Sequence, residues 1–156
     1  MGSPVEEVVI EESIFRRAVE RGRETWAEVG FFMIGLIRGR RAYVYDLVEF
    51  DYEEASSTLI RSGVERKLRL VGILPLGLQL IGNMHKHLAG TRPSLVDERA
   101  FLSYARGGGA HVFVIYTVDP VEARAYTVRG GRVAEVGCDI RPLEEGEELV
   151  SLEVRI

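Results

Sequence analysis

The stretch VGFFMIGLI, residues 29–37, contains no charged or polar side chain. Its short length, its two aromatic residues and its two glycines favour a buried strand over a helix. The segment Arg38-Gly39-Arg40-Arg41 follows as a turn, and residues 42–50 continue as a second strand. These residues therefore predict a β-hairpin with a buried first strand.

Further strands and helices are predicted on both sides of this hairpin. The apolar periodicity and the Gly and Pro breaks predict strands at 5–10, 78–87, 111–118, 123–129, 132–140 and 149–156, and helices at 12–27, 59–73 and 94–106. This order predicts an α/β (α+β) fold, in which a mixed β-sheet is flanked by two to three helices. We expect one domain over residues 1–156, with a core at about 5–140 and an acidic tail at 141–156 that ends in an extra strand.

Composition and charge exclude several classes of protein. The net charge of −4 and the pI near 5.5 argue against a protein that coats nucleic acid. The single cysteine, Cys138, excludes an intrachain disulfide and a Cys-rich zinc module, and we expect it to be a small core residue. The most apolar segment, 70–84, is too short to span a membrane, and the first residues lack a signal peptide's pattern. We therefore expect a cytoplasmic protein with no nucleic-acid or membrane partner.

Two of the three histidines, His85 and His87, are separated by one residue at the end of a predicted strand. Residues i and i+2 of a strand project from the same face, so both imidazoles point the same way and Lys86 points the opposite way. A catalytic zinc needs three protein ligands and an open fourth position. Asp97, in the first turn of the following helix, is a candidate third ligand.

A second interpretation of the same helix start needs no metal. Ser94-Leu95-Val96-Asp97 is a capping-box pattern, in which Ser94 caps the helix and Asp97 lies at its third position. The two interpretations are compatible, because a residue in the first helical turn can cap the helix and also bind a metal. A histidine at a strand end is also often an ordinary polar residue.

Together these motifs resemble those of the JAMM (MPN-domain) zinc metalloproteases, in particular the small prokaryotic members. The family pattern is His-Ser/Thr-His-Pro, a loop, then Ser-x-x-Asp, with a glutamate far upstream. This chain has His85-Lys86-His87-Leu88, a loop through Pro93, and Ser94-Leu95-Val96-Asp97, and Glu28 precedes its apolar strand. Lys86 and Leu88 depart from the pattern, and the spacing between His87 and Asp97 is one residue shorter.

The resemblance implies an MPN/cytidine-deaminase-like fold and a zinc site. It implies that His85, His87 and Asp97 bind Zn²⁺, that Glu28 is the general base and that Ser94 stabilises the oxyanion. The implied activity is hydrolysis of peptide or isopeptide bonds that removes ubiquitin-like or sulfur-carrier-like proteins through their C-terminal glycine. From the residues alone, Glu28 is one of twenty-four acidic residues, and an exposed helix-end carboxylate is the ordinary alternative.

Two alternatives to an active protease remain open. The first is a catalytically silent MPN-type scaffold or binding domain for a ubiquitin-like protein. The second is a non-metal α/β domain with a capped helix and two incidental histidines. The sequence is also compatible with a homodimer.

Overall fold

The structure is a computed structural model, and it describes residues 4–50, 77–106, 112–144 and 147. The elements in chain order are β1 (Glu7–Glu11), α1 (Glu12–Arg23), β2 (Gly30–Arg38), β3 (Arg41–Phe50), β4 (Gln79–Lys86), α2 (Leu95–Arg106), β5 (Val112–Val118), β6 (Val121–Arg129) and β7 (Arg132–Arg141). The helix predicted at 59–73 and the strand predicted at 149–156 lie outside the described residues.

The seven strands form a closed barrel in the order β1-β3-β2-β4-β5-β6-β7. Strand β1 closes it, because β1 pairs in parallel with β3 on one side and with β7 on the other. The expected α/β (α+β) sheet flanked by two to three helices is therefore wrong. The described part of the chain is mostly sheet with two helices. Hydrophobic alternation along single strands does not reveal that β3 and β7 both pair with β1, which closes the sheet into a barrel.

Apolar residues from all seven strands fill the barrel interior together with one face of α1. The face of α1 that packs inward carries Phe15, Ala18, Val19 and Gly22, which follow the helical period. Glu11 caps this helix, since its carboxylate accepts hydrogen bonds from the backbone N–H groups of Ser13 and Ile14. The helix ends at Arg23 and not near residue 27 as predicted, and an irregular connection leads into β2.

Helix α2 covers part of the outer face of the barrel. Its Phe101 stacks on Phe113 of β5 with ring centroids 4.0 Å apart, and its Ala100 packs with a cluster that includes Leu80 of β4. None of the helices among the described residues is long and apolar enough to cross a membrane.

A bulge in β4 decides which of its side chains face α2. The register with β2 shifts between Met33 and Ile34, so that Ile81 is an extra residue before Gly82. A Cβ on Gly82 would lie 1.6 Å from the backbone oxygen of Val112, so only glycine allows β5 to approach this closely. Beyond the bulge, Met84 joins the interior cluster, and the alternate residues that follow it project outward.

Candidate metal centre

The two histidines lie on the outer face of the barrel, at the end of β4. His85 is 3% exposed and lies 6.2 Å from the Phe101 ring of α2, between centroids. His87 follows the last residue of β4, and 12% of its side chain is exposed. The Nε2 atoms of the two imidazoles are 3.0 Å apart. The strand geometry thus brings both nitrogens to one point, which is reachable from solvent on the His87 side.

Asp97 reaches the same point from the first turn of α2. Its Oδ2 lies 2.9 Å from His87 Nε2, and its Oδ1 lies 3.3 Å from His85 Nε2. The predicted capping box is confirmed: Ser94 N–H donates to Asp97 Oδ2 at 2.9 Å, and Asp97 N–H donates to Ser94 Oγ at 3.1 Å. Asp97 therefore caps the helix and faces the histidines simultaneously.

Asp97 and His87 shift each other's pKa. Burial alone would raise the pKa of Asp97, but hydrogen bonds from His85 and His87 and the backbone of Ser94 outweigh it and hold that pKa far below its usual range. Burial lowers the pKa of His87, whereas the hydrogen bond and negative charge of Asp97 raise it, and the net shift is upward. The group formed by His85, His87 and Asp97 therefore favours a positive charge between its side chains.

The tautomer of His87 indicates what that positive charge can be. His87 Nδ1 lies 3.1 Å from the backbone oxygen of Gly90, and a carbonyl can only accept, so Nδ1 carries a proton. In the neutral imidazole, Nε2 then presents a lone pair to the carboxylate of Asp97 at 2.9 Å. Two acceptors at this distance need a proton or a cation between them. A donated Nδ1–H is also the orientation typical of a metal-ligating histidine.

The distances between the candidate donors fit a small tetrahedral ion. Ligands at about 2.0–2.2 Å from a tetrahedral zinc lie about 3.3–3.6 Å from one another. The two Nε2 atoms are 3.0 Å apart, and each has its own Asp97 oxygen nearby, Oδ2 at 2.9 Å from His87 and Oδ1 at 3.3 Å from His85. These separations lie at or slightly below that range. The ligand atoms of His85, His87 and Asp97 all lie within 4.8 Å of one another, so this group could hold a metal ion.

The short loop between His87 and Ser94 is held by strand β6. Thr91, in the middle of the loop, is 4% exposed. Its backbone oxygen accepts a hydrogen bond from the Tyr126 hydroxyl at 2.6 Å, and its side-chain hydroxyl accepts one from Arg124 Nε at 3.1 Å. These bonds, with the bond between His87 and Gly90, restrain the loop although Leu88 stands where the family pattern has proline. The shorter spacing therefore still brings Asp97 to both histidines.

Glu28 lies beside this group but is not part of it. The register pairs Gly30 with His85, and Lys86 N–H donates to the backbone oxygen of Val29 at 2.9 Å, so Glu28 lies next to His87 across the strands. Its negative charge is felt by His87, where it helps to raise the pKa. Among the described residues, the group of three that could hold a metal does not include Glu28.

A cleft of about 530 Å³ extends from His87 to the end of α1. Two exposed apolar side chains line it, Trp26 at 91% and Leu88 at 63% exposed. Neither side chain has a role that was predicted from the sequence, although a tryptophan two residues before a candidate base is a usable signal. Gly90 was not predicted either, because its contribution is a backbone oxygen that residue type does not reveal.

Cys138 takes no part in this centre. It packs partly against the interior cluster, and burial raises the pKa of its thiol to about 12. A thiol with this pKa is a poor nucleophile near neutral pH. His111, the third histidine, lies outside the described residues.

Comparison with solved structures gives fold similarity at low sequence identity. The protein DSY2949 from Desulfitobacterium hafniense matches with a TM-score of 0.59 at 13% identity, over 88% of this chain and 95% of that one. AF2198, a JAB1/MPN domain protein from Archaeoglobus fulgidus, matches with a TM-score of 0.52 at 15% identity, over 83% of this chain and 97% of that one. These matches support an MPN-like fold. No protein-family model matches the sequence, and no curated protein does.

Proposed function

We propose that this protein is a zinc-dependent hydrolase that cleaves peptide or isopeptide bonds. The observation that carries the proposal is the meeting of both imidazoles and the Asp97 carboxylate. The two Nε2 atoms are 3.0 Å apart, Asp97 Oδ2 lies 2.9 Å from His87 Nε2, and Asp97 Oδ1 lies 3.3 Å from His85 Nε2. Two neutral imidazoles and one carboxylate are donors that zinc prefers, and three protein ligands leave a fourth position open. The MPN-like fold supports the same conclusion.

The chain's own residues supply the remaining chemistry. When bound, zinc supplies a Lewis acid that polarises a carbonyl oxygen and makes water acidic near neutral pH. Glu28, held next to His87, accepts the proton of the attacking water and passes it to the leaving amine. The Ser94 hydroxyl accepts the Asp97 N–H, which leaves its own proton to donate to the oxyanion.

The substrates we propose are proteins that carry a ubiquitin-like or sulfur-carrier-like protein attached through its C-terminal glycine, in the cytoplasm. Trp26 and Leu88 support a protein substrate, because exposed apolar side chains beside a concave site are typical of protein-binding surfaces. The partly exposed edge of His87 faces the same cleft, so a bound chain end there would lie next to the metal ligands.

The experiment compares zinc content and cleavage in the parent protein and in Glu28→Gln. The parent, purified without added metal, should contain about one zinc per chain and cleave a ubiquitin-like protein fused through its C-terminal glycine. Glu28→Gln should keep the zinc and lose about 10²–10⁴-fold in rate, because only the proton acceptor is removed. Glu20→Gln, an exposed carboxylate on α1, is the matched control and should cleave like the parent.

Each result separates the alternatives. If Glu28→Gln cleaves as well as the parent, the general-base assignment is wrong. Zinc without cleavage of any such fusion would favour the catalytically silent scaffold. A parent protein that takes up no zinc would contradict the hydrolase altogether.

A further inference from the structure

The residue between the two candidate ligands is a buried lysine. Lys86 is 2% exposed and points into the barrel, away from the metal group. Its ammonium donates to the backbone oxygens of Gly22 at 2.9 Å and Thr25 at 2.6 Å, at the C-terminal end of α1. Carbonyls at a helix end lack helical partners, and a cation there is favourable.

Lys86 holds the connection between α1 and β2 at two points. Its ammonium binds Thr25, and its backbone N–H donates to the backbone oxygen of Val29 at 2.9 Å. Glu28 and Trp26 lie between these two points. One residue of β4 thus fixes both ends of the segment that carries the candidate general base.

Within residues 25–29, Val29 is 5% exposed and packs in the interior cluster, whereas the residues before it are more exposed. Trp26 is 91% exposed and contributes almost no packing. Within the segment, Ala27 N–H donates to Thr25 Oγ1 at 3.0 Å, which closes a local turn without tying it to the barrel. Glu28 is therefore placed from both sides, because the buried Val29 fixes the end of the segment and the Lys86 ammonium anchors its start at Thr25.

Gly22 makes this arrangement possible. A Cβ at Gly22 would lie 2.9 Å from Lys86 Cδ and 2.9 Å from Val118 Cγ1, so a side chain there would displace the lysine stem. Gly22, in the last turn of α1, thus leaves the space that the side chain of Lys86 occupies.

We infer that Lys86 is a positioning residue, which acts through the α1–β2 connection to hold Glu28 beside His87. The inference rests on the proposed function for its catalytic consequence. Its structural part, the anchoring of residues 25–29, stands independently. Lys86 stands where the JAMM pattern has Ser or Thr, so this chain has a buried cationic anchor where that pattern has a small residue.

The test measures hydrogen exchange of residues 24–29 in Lys86→Met, which keeps the stem and removes the ammonium. We expect exchange in this segment to rise about tenfold or more, because its anchoring bonds to Gly22 and Thr25 are lost. Zinc content should stay at about one per chain, since Lys86 points away from the ligands. The kcat for cleavage should fall about tenfold, because Glu28 is held less often in place.

Tyr116→Phe is the matched control. The Tyr116 hydroxyl is fully buried and donates to the backbone oxygen of Ala18 at 2.7 Å, so it also ties α1 to the sheet, but through Ala18 and not through residues 24–29. This variant should leave exchange of that segment within about twofold of the parent. If Lys86→Met does not fold, Gly22→Ala tests the same contact by crowding the lysine stem, and it should also speed exchange of residues 24–29.

The two proposals fail in different ways. Unchanged exchange of residues 24–29 in a folded Lys86→Met, or in Gly22→Ala if that is the variant that folds, would overturn the positioning role, whatever the parent cleaves. An equal rise in Tyr116→Phe would also overturn it, since the effect would then be general loosening. A parent protein without zinc or cleavage would overturn the proposed function alone, because the exchange measurement needs neither.

Discussion

Asp97→Asn separates the two roles of Asp97, capping of α2 and metal binding. The asparagine side-chain oxygen can still accept from Ser94 N–H, which Asp97 Oδ2 binds at 2.9 Å. The substitution removes the negative charge that faces His87 Nε2 at 2.9 Å and His85 Nε2 at 3.3 Å. The metal-free variant should therefore keep the helix cap but be less stable than the metal-free parent, because it loses the carboxylate that the histidines stabilise, and its response to zinc should be lost.

The size of the effect follows from linkage between binding and folding. With free zinc at about a hundred times its dissociation constant, the parent gains about 2.7 kcal/mol of stability. For a chain of this length, each kcal/mol shifts the melting temperature by about 2–4 °C, so the gain is about 5–10 °C. If loss of the anionic ligand weakens zinc binding about a hundredfold, the gain at the same zinc concentration falls to about 0.4 kcal/mol. That corresponds to about 1–2 °C.

The assay is thermal unfolding with a chelator and with added zinc, for the parent and for Asp97→Asn. Asp46→Asn is the matched control, because Asp46 is an exposed carboxylate paired with Arg17 at 2.9 Å and remote from the histidines. The control should keep the parent's full zinc response. A zinc response in Asp97→Asn equal to the parent's would refute the assignment of Asp97 as a ligand.

Three further predictions test other parts of the structure. Gly82→Ala should lower the free energy of unfolding, measured by urea titration, by about 3 kcal/mol or more, because the added Cβ would lie 1.6 Å from the Val112 backbone oxygen. A loss below about 1 kcal/mol would contradict the close approach of β5 at the bulge. Ser94→Ala removes the acceptor for the Asp97 N–H and should cost about 1 kcal/mol in the same urea titration without changing zinc content. Equal stability to the parent would be evidence against the cap. Alkylation of Cys138 in the folded protein should be at least about a hundredfold slower than in the unfolded chain, because burial raises the pKa of its thiol to about 12. Similar alkylation rates in the folded and unfolded chains would mean that the thiolate is exposed in the fold.

Local features of the site could be predicted from the sequence because they depend on neighbouring residues. Strand alternation is enough to place His85 and His87 on one face, and the Ser94–Asp97 spacing is enough to predict the reciprocal cap that the structure contains. The meander of β5, β6 and β7 was also predictable, since its turns lie at Asp119-Pro120 and Gly130-Gly131.

Features that depend on distant residues could not be predicted. The barrel closes because β1 pairs with residues 41–44 and also with residues 137–141, and no pattern within β1 encodes either partner. Helix α1 ends early, at Arg23, where the Lys86 ammonium, 64 residues after Gly22 in the chain, binds the Gly22 carbonyl. Glu28 was predicted only through the family resemblance, because its location across the strands from His87 follows from the register between β2 and β4 and not from any local pattern.

The central claim is that His85, His87 and Asp97 bind one zinc ion. Anomalous X-ray scattering at the zinc edge, from crystals of protein purified without added metal, tests it most directly. We predict a single peak about 2.0–2.2 Å from both Nε2 atoms and from an Asp97 carboxylate oxygen. The absence of a peak at this position, even in crystals soaked with zinc, would contradict the claim.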